Sequence, residues 1–456
     1  MNAPASPRLK LAYYGDDFTG STDVLEVLSL AGVPTVLFLE PPTAALLAEF
    51  PAIQAVGVAG ISRSLPTAQM AAELLPQFHA LQALGAELVH YKICSTFDSS
   101  PETGSLGRAI ELGREVFGEV MVPLVVGAPR LKRYVVFGQL FATVGSVTHR
   151  LDRHPTMSRH PVTPMRESDL LRHLAQQTAL TSSLMDVLLL DGDRDALATR
   201  VEELLASASS ILLFDTLTAQ HLETIGAILW EKRAHPWRFL VGSSGIEYAL
   251  AAHWKASGML PVTVPANGAG AVDPLLVMSG SASPVTAQQI EYALAKGWHG
   301  LRLSALALLQ PATAAVELDR VLDEALPLLA ACKNVVIYLT LGPDDTALSV
   351  ATAQARTLGL EGVGILLAQA QGRLLRELLT RSGLRRACVA GGDTSGWVAR
   401  ELGIYALEFI TAIAPGAPLC RARSHTATFD GLEISLKGGQ CGAPNYFECI
   451  RRGEAF

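Results

Sequence analysis

The sequence predicts an α/β fold: two α/β domains with mostly parallel sheets flanked by helices, and a ligand cleft between them. Three observations carry this prediction. Short apolar runs alternate with longer amphipathic stretches along most of the chain, the pattern of parallel strands joined by helical crossovers. At 456 residues the chain is too long for one ordinary core. A Pro/Gly/Ala-rich segment at 258–274, without helical period, interrupts the alternation and reads as a linker. The domains are placed at 1–262 and 263–456.

The first series opens with a strand at Leu11-Ala12-Tyr13-Tyr14, followed by a helix whose Val24, Leu25, Val27 and Leu28 cover a sheet. Further strands are expected at 35–39, 55–59, 88–91 and 121–126, then at Val187-Leu188-Leu189-Leu190-Asp191, at Ile211 to Asp215 and at Phe239 to Ser243. The second series runs through Leu275 to Gly280, Val335 to Leu339 and Ala387 to Ala390. The tail from Ala427 to Gly439 reads as a closing hairpin followed by a glycine loop.

Composition narrows the class. Hydrophobic residues make up 49% and charged residues 17%, which excludes a disordered chain. A net charge of −7 and the lack of any Lys/Arg-rich tract exclude a nucleic-acid footprint, so an anionic substrate must be met by locally placed cations. No apolar stretch reaches the about 18 to 20 residues that span a bilayer. The start, Met1 to Arg8, lacks an apolar leader core and reads as a short disordered tip, so a cytoplasmic protein is expected. Six cysteines are scattered without zinc spacing, which predicts reduced thiols and no structural metal.

In the first domain, Gly15-Asp16-Asp17-Phe18-Thr19-Gly20 puts two carboxylates at the carboxyl end of a strand, where open α/β sheets present ligands. Such acids bind hydroxyls, abstract protons or coordinate metal. The plain alternative is an N-capping Asp with a solvated neighbour. Tyr91 to Ser100, with Lys92, Ser95 and Thr96, adds a base and hydroxyls at another strand end. Arg63, within Ser62-Arg63-Ser64, and Lys92 could pair with a substrate carboxylate, which makes a sugar-acid pocket; for each the alternative is ordinary surface charge. Thr103 to Arg108 reads as the cap of a helix aimed at the same ligand. The segment from Leu151 to Met165 is polar and rich in Pro and His. It is either a long surface connection or a binding lid that brings His154, Arg159 or His160 to substrate.

In the second domain, Gly391-Gly392-Asp393-Thr394-Ser395-Gly396 follows a buried strand and precedes a helix. A Thr/Ser cap there leaves backbone N–H groups free for a phosphate, although glycine can serve packing alone. Ser279 to Pro284, with Ser281 and Ser283, and Lys437-Gly438-Gly439-Gln440 are two more such turns, and Lys437 could neutralise charge that develops during transfer. Together they form an ATP-site pattern without a Walker A motif. Asp393 either holds Mg²⁺ or caps the next helix. The metal ligands stay unassigned.

These motifs, in this order over nearly the whole chain, resemble the four-carbon acid sugar kinase family. The resemblance rests on the Asp16-Asp17 turn, Ser62-Arg63-Ser64, Lys92 with Ser95-Thr96, Pro161-Val162-Thr163, Gly280 to Thr286, Gly391 to Gly396 and Leu436 to Gly439. It implies a sugar-acid-binding N-terminal domain, a nucleotide-binding C-terminal domain, and ATP-dependent phosphorylation of a terminal hydroxyl on a tetronate, 3-oxo-tetronate or similar short acid. It also implies that ATP meets Ser281 or Ser283, Gly391, Gly392, Asp393 and Thr394, and the Lys437-Gly438-Gly439 turn. The commoner family pattern after the lysine is Lys-Ile-Asp-Ser-Thr-Leu-Arg-Gly. Here Cys94 replaces the acid and Asp98 the arginine, which is more similar to the branch that includes 3-oxo-isoapionate kinases.

The expected mechanism is in-line transfer from MgATP as the two domains close, with Asp17 as the hydroxyl-orienting base, Asp16 on a neighbouring hydroxyl, and Arg63 and Lys92 on the carboxylate. The expected partners are a small-molecule sugar acid and ATP, with no nucleic acid and no membrane, and a homodimer as the assembly to test. The rivals are a hydroxy-acid dehydrogenase, disfavoured by the missing G-x-G-x-x-G fingerprint, and a non-catalytic two-lobe sugar-acid-binding protein.

Overall fold

Alternating apolar and amphipathic segments become strands and helices in both halves of the chain. A computed structural model describes residues 9–118, 121–160, 162–234, 236–261 and 268–454, without the side chain of Asp393. The expected N-terminal tip, Pro161 and residues 262–267 of the expected linker lie outside the described residues. The chain divides into two compact units, Met1–Val264 and Pro265–Phe456. Among the described residues no helix is long and apolar enough to cross a membrane.

The first unit contains β1 (Leu11–Gly15), β2 (Thr35–Phe38), β3 (Ala55–Ala59), β4 (Leu88–Lys92), β5 (Val122–Val125), β6 (Arg133–Val136), β7 (Gln139–Val144), β8 (Val147–Arg150), β9 (Ser182–Met185), β10 (Ile211–Phe214) and β11 (Phe239–Gly242). Eight of these pair in parallel in the order β2-β3-β1-β4-β11-β5-β10-β9. Helices cover the faces of such a sheet, which is why its central strands read as unbroken apolar runs. From β1 the chain crosses to β2 on one side, whereas from β4 it moves to β5 on the other. Ligands bind outside the carboxyl ends of strands at a switch of this kind.

Two expectations fail in this unit. Val187–Leu190 is a short helix, not a strand: the Asp186 side chain caps it by accepting from Leu189 N at 3.0 Å, and the strand lies just upstream as β9. A run of four apolar residues does not separate helix from strand by period alone. The meander β6-β7-β8, an antiparallel sheet, was not foreseen. Its first turn, Phe137-Gly138, has positive φ at both residues, as a tight hairpin requires. Asp215 anchors that turn: buried at the end of β10, it accepts from Phe137 N at 2.5 Å, Gly138 N at 2.9 Å and Val187 N at 3.2 Å.

The second unit contains β12 (Leu276–Ser279), β13 (His299–Arg302), β14 (Val335–Tyr338), β15 (Arg386–Ala390), β16 (Ile404–Ala414), β17 (Ala417–Ser424) and β18 (Glu433–Lys437), ordered β13-β14-β12-β15-β18-β17-β16. The first five of that order are parallel, and β17 runs antiparallel to both of its neighbours. The closing hairpin is therefore β16-β17, with β18 added to it. The segment 427–430, expected to be part of the hairpin, is a turn. Around β12 and β15 the connections again leave in opposite directions.

Candidate active site

In the first unit the site grows from the ends of β1, β3 and β4. Parallel register aligns Gly15 with both Ala59 and Lys92, so the residues that follow these strands converge. Asp16 N donates to Lys92 O at 2.9 Å, and Arg63 N donates to Asp16 O at 3.0 Å. Asp17 caps the helix Phe18–Leu30, its Oδ1 accepting from Gly20 N at 2.7 Å. The capping alternative thus holds for Asp17, but its neighbour is not solvated: Asp16 is 1% exposed.

Arg63 explains how Asp16 can be buried. Its Nε and Nη2 donate to Asp16 at 3.1 and 2.6 Å, and its Nη1 and Nη2 donate to Asp17 at 2.7 and 2.9 Å. A guanidinium has five N–H donors, so little of this one is left for a substrate carboxylate. Because β3 lies beside β1, the acids nearest Arg63 are the protein's own. Lys92, buried, reaches the same place. A Cβ on Gly20 would stand 2.6 Å from Asp17 Oδ1, 2.9 Å from Lys92 Nζ and 3.6 Å from Arg63 Nη2. Burial pushes the Asp16 carboxyl up, and the Asp17 charge adds to this against the pull of Arg63 and Lys92.

Beyond Lys92, the Cys94 thiol lies 2.9 Å from Thr96 Oγ1, which donates to Asp98 Oδ1 at 2.8 Å. Burial and the Asp98 charge push Cys94 up to about 11, so it stands as a neutral thiol. Ser95 is half-buried. Ser105 caps the helix Leu106–Phe117, as expected, but that helix start is not open to a ligand: Gln177 Oε1 accepts from Leu106 N at 2.7 Å and Gly107 N at 3.3 Å. The 151–165 segment is not a loose surface connection. Its turns bury Leu151, His154, Met157 and Met165, while Arg159 is exposed and His160 folds onto Thr163, accepting from its N at 3.1 Å. Arg133 on β6, not singled out in the sequence, lies within electrostatic reach of Cys94 and Asp98. The available signal was a charged residue in phase with the inward Val135 of the same strand.

In the second unit, β12, β15 and β18 are adjacent and parallel, and the three glycine turns sit at their carboxyl ends. The turns touch. A Cβ on Gly280 would lie 2.2 Å from Thr394 Oγ1, one on Gly391 would lie 3.5 Å from Ser281 N, and one on Gly439 would lie 2.4 Å from Ser281 Oγ. Gly391 has φ +130°, a backbone open to glycine, and precedes the helix Gly392–Glu401 with no side-chain cap. Thr394 and Ser395 therefore sit inside the first turn and do not cap it, which leaves the helix start more open than expected. Ser283 caps the helix Pro284–Ala295. Buried Ser279 Oγ, Ser395 Oγ and Gln371 Nε2 lack partners in this region, as a site shaped for a polar ligand would leave them.

Lys437 closes β18 at the third turn. The strand turns its side chain inward, fully buried, where Nζ donates to Thr286 Oγ1 at 3.1 Å and Thr286 Oγ1 donates to Gly439 O at 2.8 Å. It props the third turn from beneath. Burial holds its ammonium below the usual lysine range.

Residues 11–250 match the family described as a sugar-binding N-terminal domain, and residues 276–447 match that described as a nucleotide-binding C-terminal domain. The chain is 48% identical to a 3-oxo-isoapionate kinase of Paraburkholderia graminis over 99% of this chain and 96% of that protein. It is 31% identical to a 3-oxo-tetronate kinase of Pectobacterium atrosepticum over 96% of this chain and 98% of that protein. Among solved structures it is similar to a Salmonella typhimurium LT2 protein with a provisional tRNA synthase label, at TM-score 0.79 and 26% identity over 97% of this chain and 98% of the other. The chain belongs to the four-carbon acid sugar kinase family, an assignment carried by both domain matches and by relatives aligned over almost their full length. Its activity is that of a sugar-acid kinase, and ATP is its phosphoryl donor.

Proposed function

We propose that this kinase phosphorylates the terminal hydroxyl of a branched 3-oxo-isoapionate-type sugar acid, with MgATP as donor and in the cytoplasm. The identity of 48% to a 3-oxo-isoapionate kinase, against 31% to a 3-oxo-tetronate kinase, carries the reading. The segment after Lys92 supports it: where the commoner pattern has an acid and then a cation, this chain has a neutral Cys94 thiol and then Asp98. A pocket wall of altered charge selects a different acid.

The first unit, as the sugar-acid domain, holds the acceptor. Asp17, 30% exposed, orients the attacking hydroxyl and takes its proton. Asp16 and Arg63 fix Asp17 in place, and Lys92 brings a positive charge to the same point. The second unit, as the nucleotide domain, cradles the phosphates on Ser281, Ser283, Gly391, Gly392, Thr394, Gly438 and Gly439, where donors already aimed need no reorganisation. Mg²⁺, when bound with the nucleotide, would offset charge on the transferred group.

A coupled ADP-release assay over 3-oxo-isoapionate, 3-oxo-tetronates, threonate and erythronate tests this. The expected result is a kcat/KM at least about tenfold higher for 3-oxo-isoapionate, the scale of one well-made polar contact. Preference for a linear tetronate would sink the substrate assignment.

A further inference from the structure

The four-carbon acids of this class carry a carboxylate at the end opposite the hydroxyl that is phosphorylated, and Arg63 is already committed to Asp16 and Asp17. The antiparallel meander offers another cation. Register pairs Arg133 with Ala142 and Ala142 with His149, so the three side chains share one face of β6-β7-β8. Two strand spacings, about 10 Å, separate the outer two, and the small, buried Ala142 leaves the space between them low. The His149 and His154 rings meet edge to face at 6.0 Å.

Arg133 forms no ion pair among the described residues. Its Nη1 donates to the carbonyls of Leu131 and Lys132 at 3.0 and 3.2 Å, and its Nε is buried without an acceptor. His154 is 5% exposed, and its tautomer is fixed. Nδ1 accepts from Thr156 N at 3.3 Å and Met157 N at 3.1 Å, so the ring proton sits on Nε2, which is also buried without a partner. Two buried donors without acceptors, on residues within electrostatic reach of each other, are costly unless a ligand supplies the acceptors. Burial lowers both groups, and the Arg133 charge further lowers His154, which therefore stays neutral and does not repel the arginine.

We propose that Arg133 and His154 bind the carboxylate of the sugar acid, one oxygen accepting from the guanidinium and the other from His154 Nε2–H. Cys94 lies within electrostatic reach of both Arg63 and Arg133, which places all three in one region of the first unit. A two-oxygen anion is the ligand that fits two separate N–H donors, one of them charged. The assignment rests on the sugar-acid reading and adds to it the residues that recognise the acid.

The test compares 3-oxo-isoapionate and threonate with their carboxamides in wild type, Arg133→Met, Arg133→Lys and His154→Gln. Arg133→Met is expected to raise KM for the acids about 100-fold while KM for ATP changes less than about twofold, a loss of the size expected for a charge-assisted contact. Its preference for acid over carboxamide should collapse. Arg133→Lys should restore part of that preference, and His154→Gln should lose about tenfold. A role limited to packing would not alter the acid-to-amide ratio, so an unchanged ratio in Arg133→Met overturns the proposal. If that variant does not fold, an unchanged ratio in both Arg133→Lys and His154→Gln overturns it equally. Should wild type release no ADP with any acid, calorimetric titration of the same pairs takes over. Binding that depends on Arg133 would then retain this site while the kinase substrate reading fails, and binding indifferent to Arg133 would remove the site.

Discussion

The Lys437 ammonium is enclosed on every side, and among the described residues no acid pairs with it. A buried cation without a counter-charge disfavours the folded state while it stays protonated. Its pKa is held down in the folded chain, so the unfolded chain binds more protons between that lowered value and about 10.4. Stability should rise with pH through that window. Lys437→Met should therefore be more stable than wild type at pH 7, with an advantage that shrinks as pH climbs. Thermal unfolding of both proteins from pH 7 to 10.5 checks this; a constant gap would deny the burial effect. At Asp17 the expectation is kinetic. Asp17→Asn should lower kcat by roughly 10²- to 10⁴-fold, with little change in ATP affinity, in single-turnover assays. Asp17 and Lys92 were legible because acids and bases at strand ends have few packing uses. The pairing of Arg63 was not, because which carboxylate a guanidinium meets depends on which strand lies beside β1.

Strands of the parallel sheets were readable where both faces are buried, because such strands are apolar throughout. Elements that depend on a cap or a turn were harder. Val187–Leu190 became a helix through one aspartate, and the β6-β7-β8 meander has mixed, half-exposed strands that carry little period. The meander depends on Asp215, whose carboxylate serves three backbone donors. Asp215→Ala leaves those donors unpaired and should destabilise the unit by about 2–4 kcal/mol. Asp215→Asn, which keeps an acceptor, should lose less. Hydrogen exchange should then accelerate first at Phe137 and Gly138, and uniform acceleration across the unit would argue against a local anchor.

Each unit repeats one arrangement: its first strand stands between the third and fourth, as β3-β1-β4 and as β14-β12-β15, and its candidate residues cluster where the connections part. No sequence repeat announces this, because the order of strands leaves no trace in the residues that build them. The fold class and the kinase family were nonetheless legible, since the motifs that carry them stand in order along nearly the whole chain. A division of labour follows. Exchange measured with the sugar acid alone should slow at residues 15–17, 92–98 and 133. With MgATP alone it should slow at the turns after β12, β15 and β18. Protection by the acid confined to the second unit would reverse the assignment.

Gly20 carries no functional group, yet a single carbon added to it would press against the Asp17 carboxylate and the Lys92 ammonium together. In a saturation scan scored by growth on the substrate acid, position 20 should therefore tolerate substitution as poorly as position 17. Tolerance of alanine there would mean that the acid and the amine can part without loss. The emptiness at that position is as much a constraint as the charges around it.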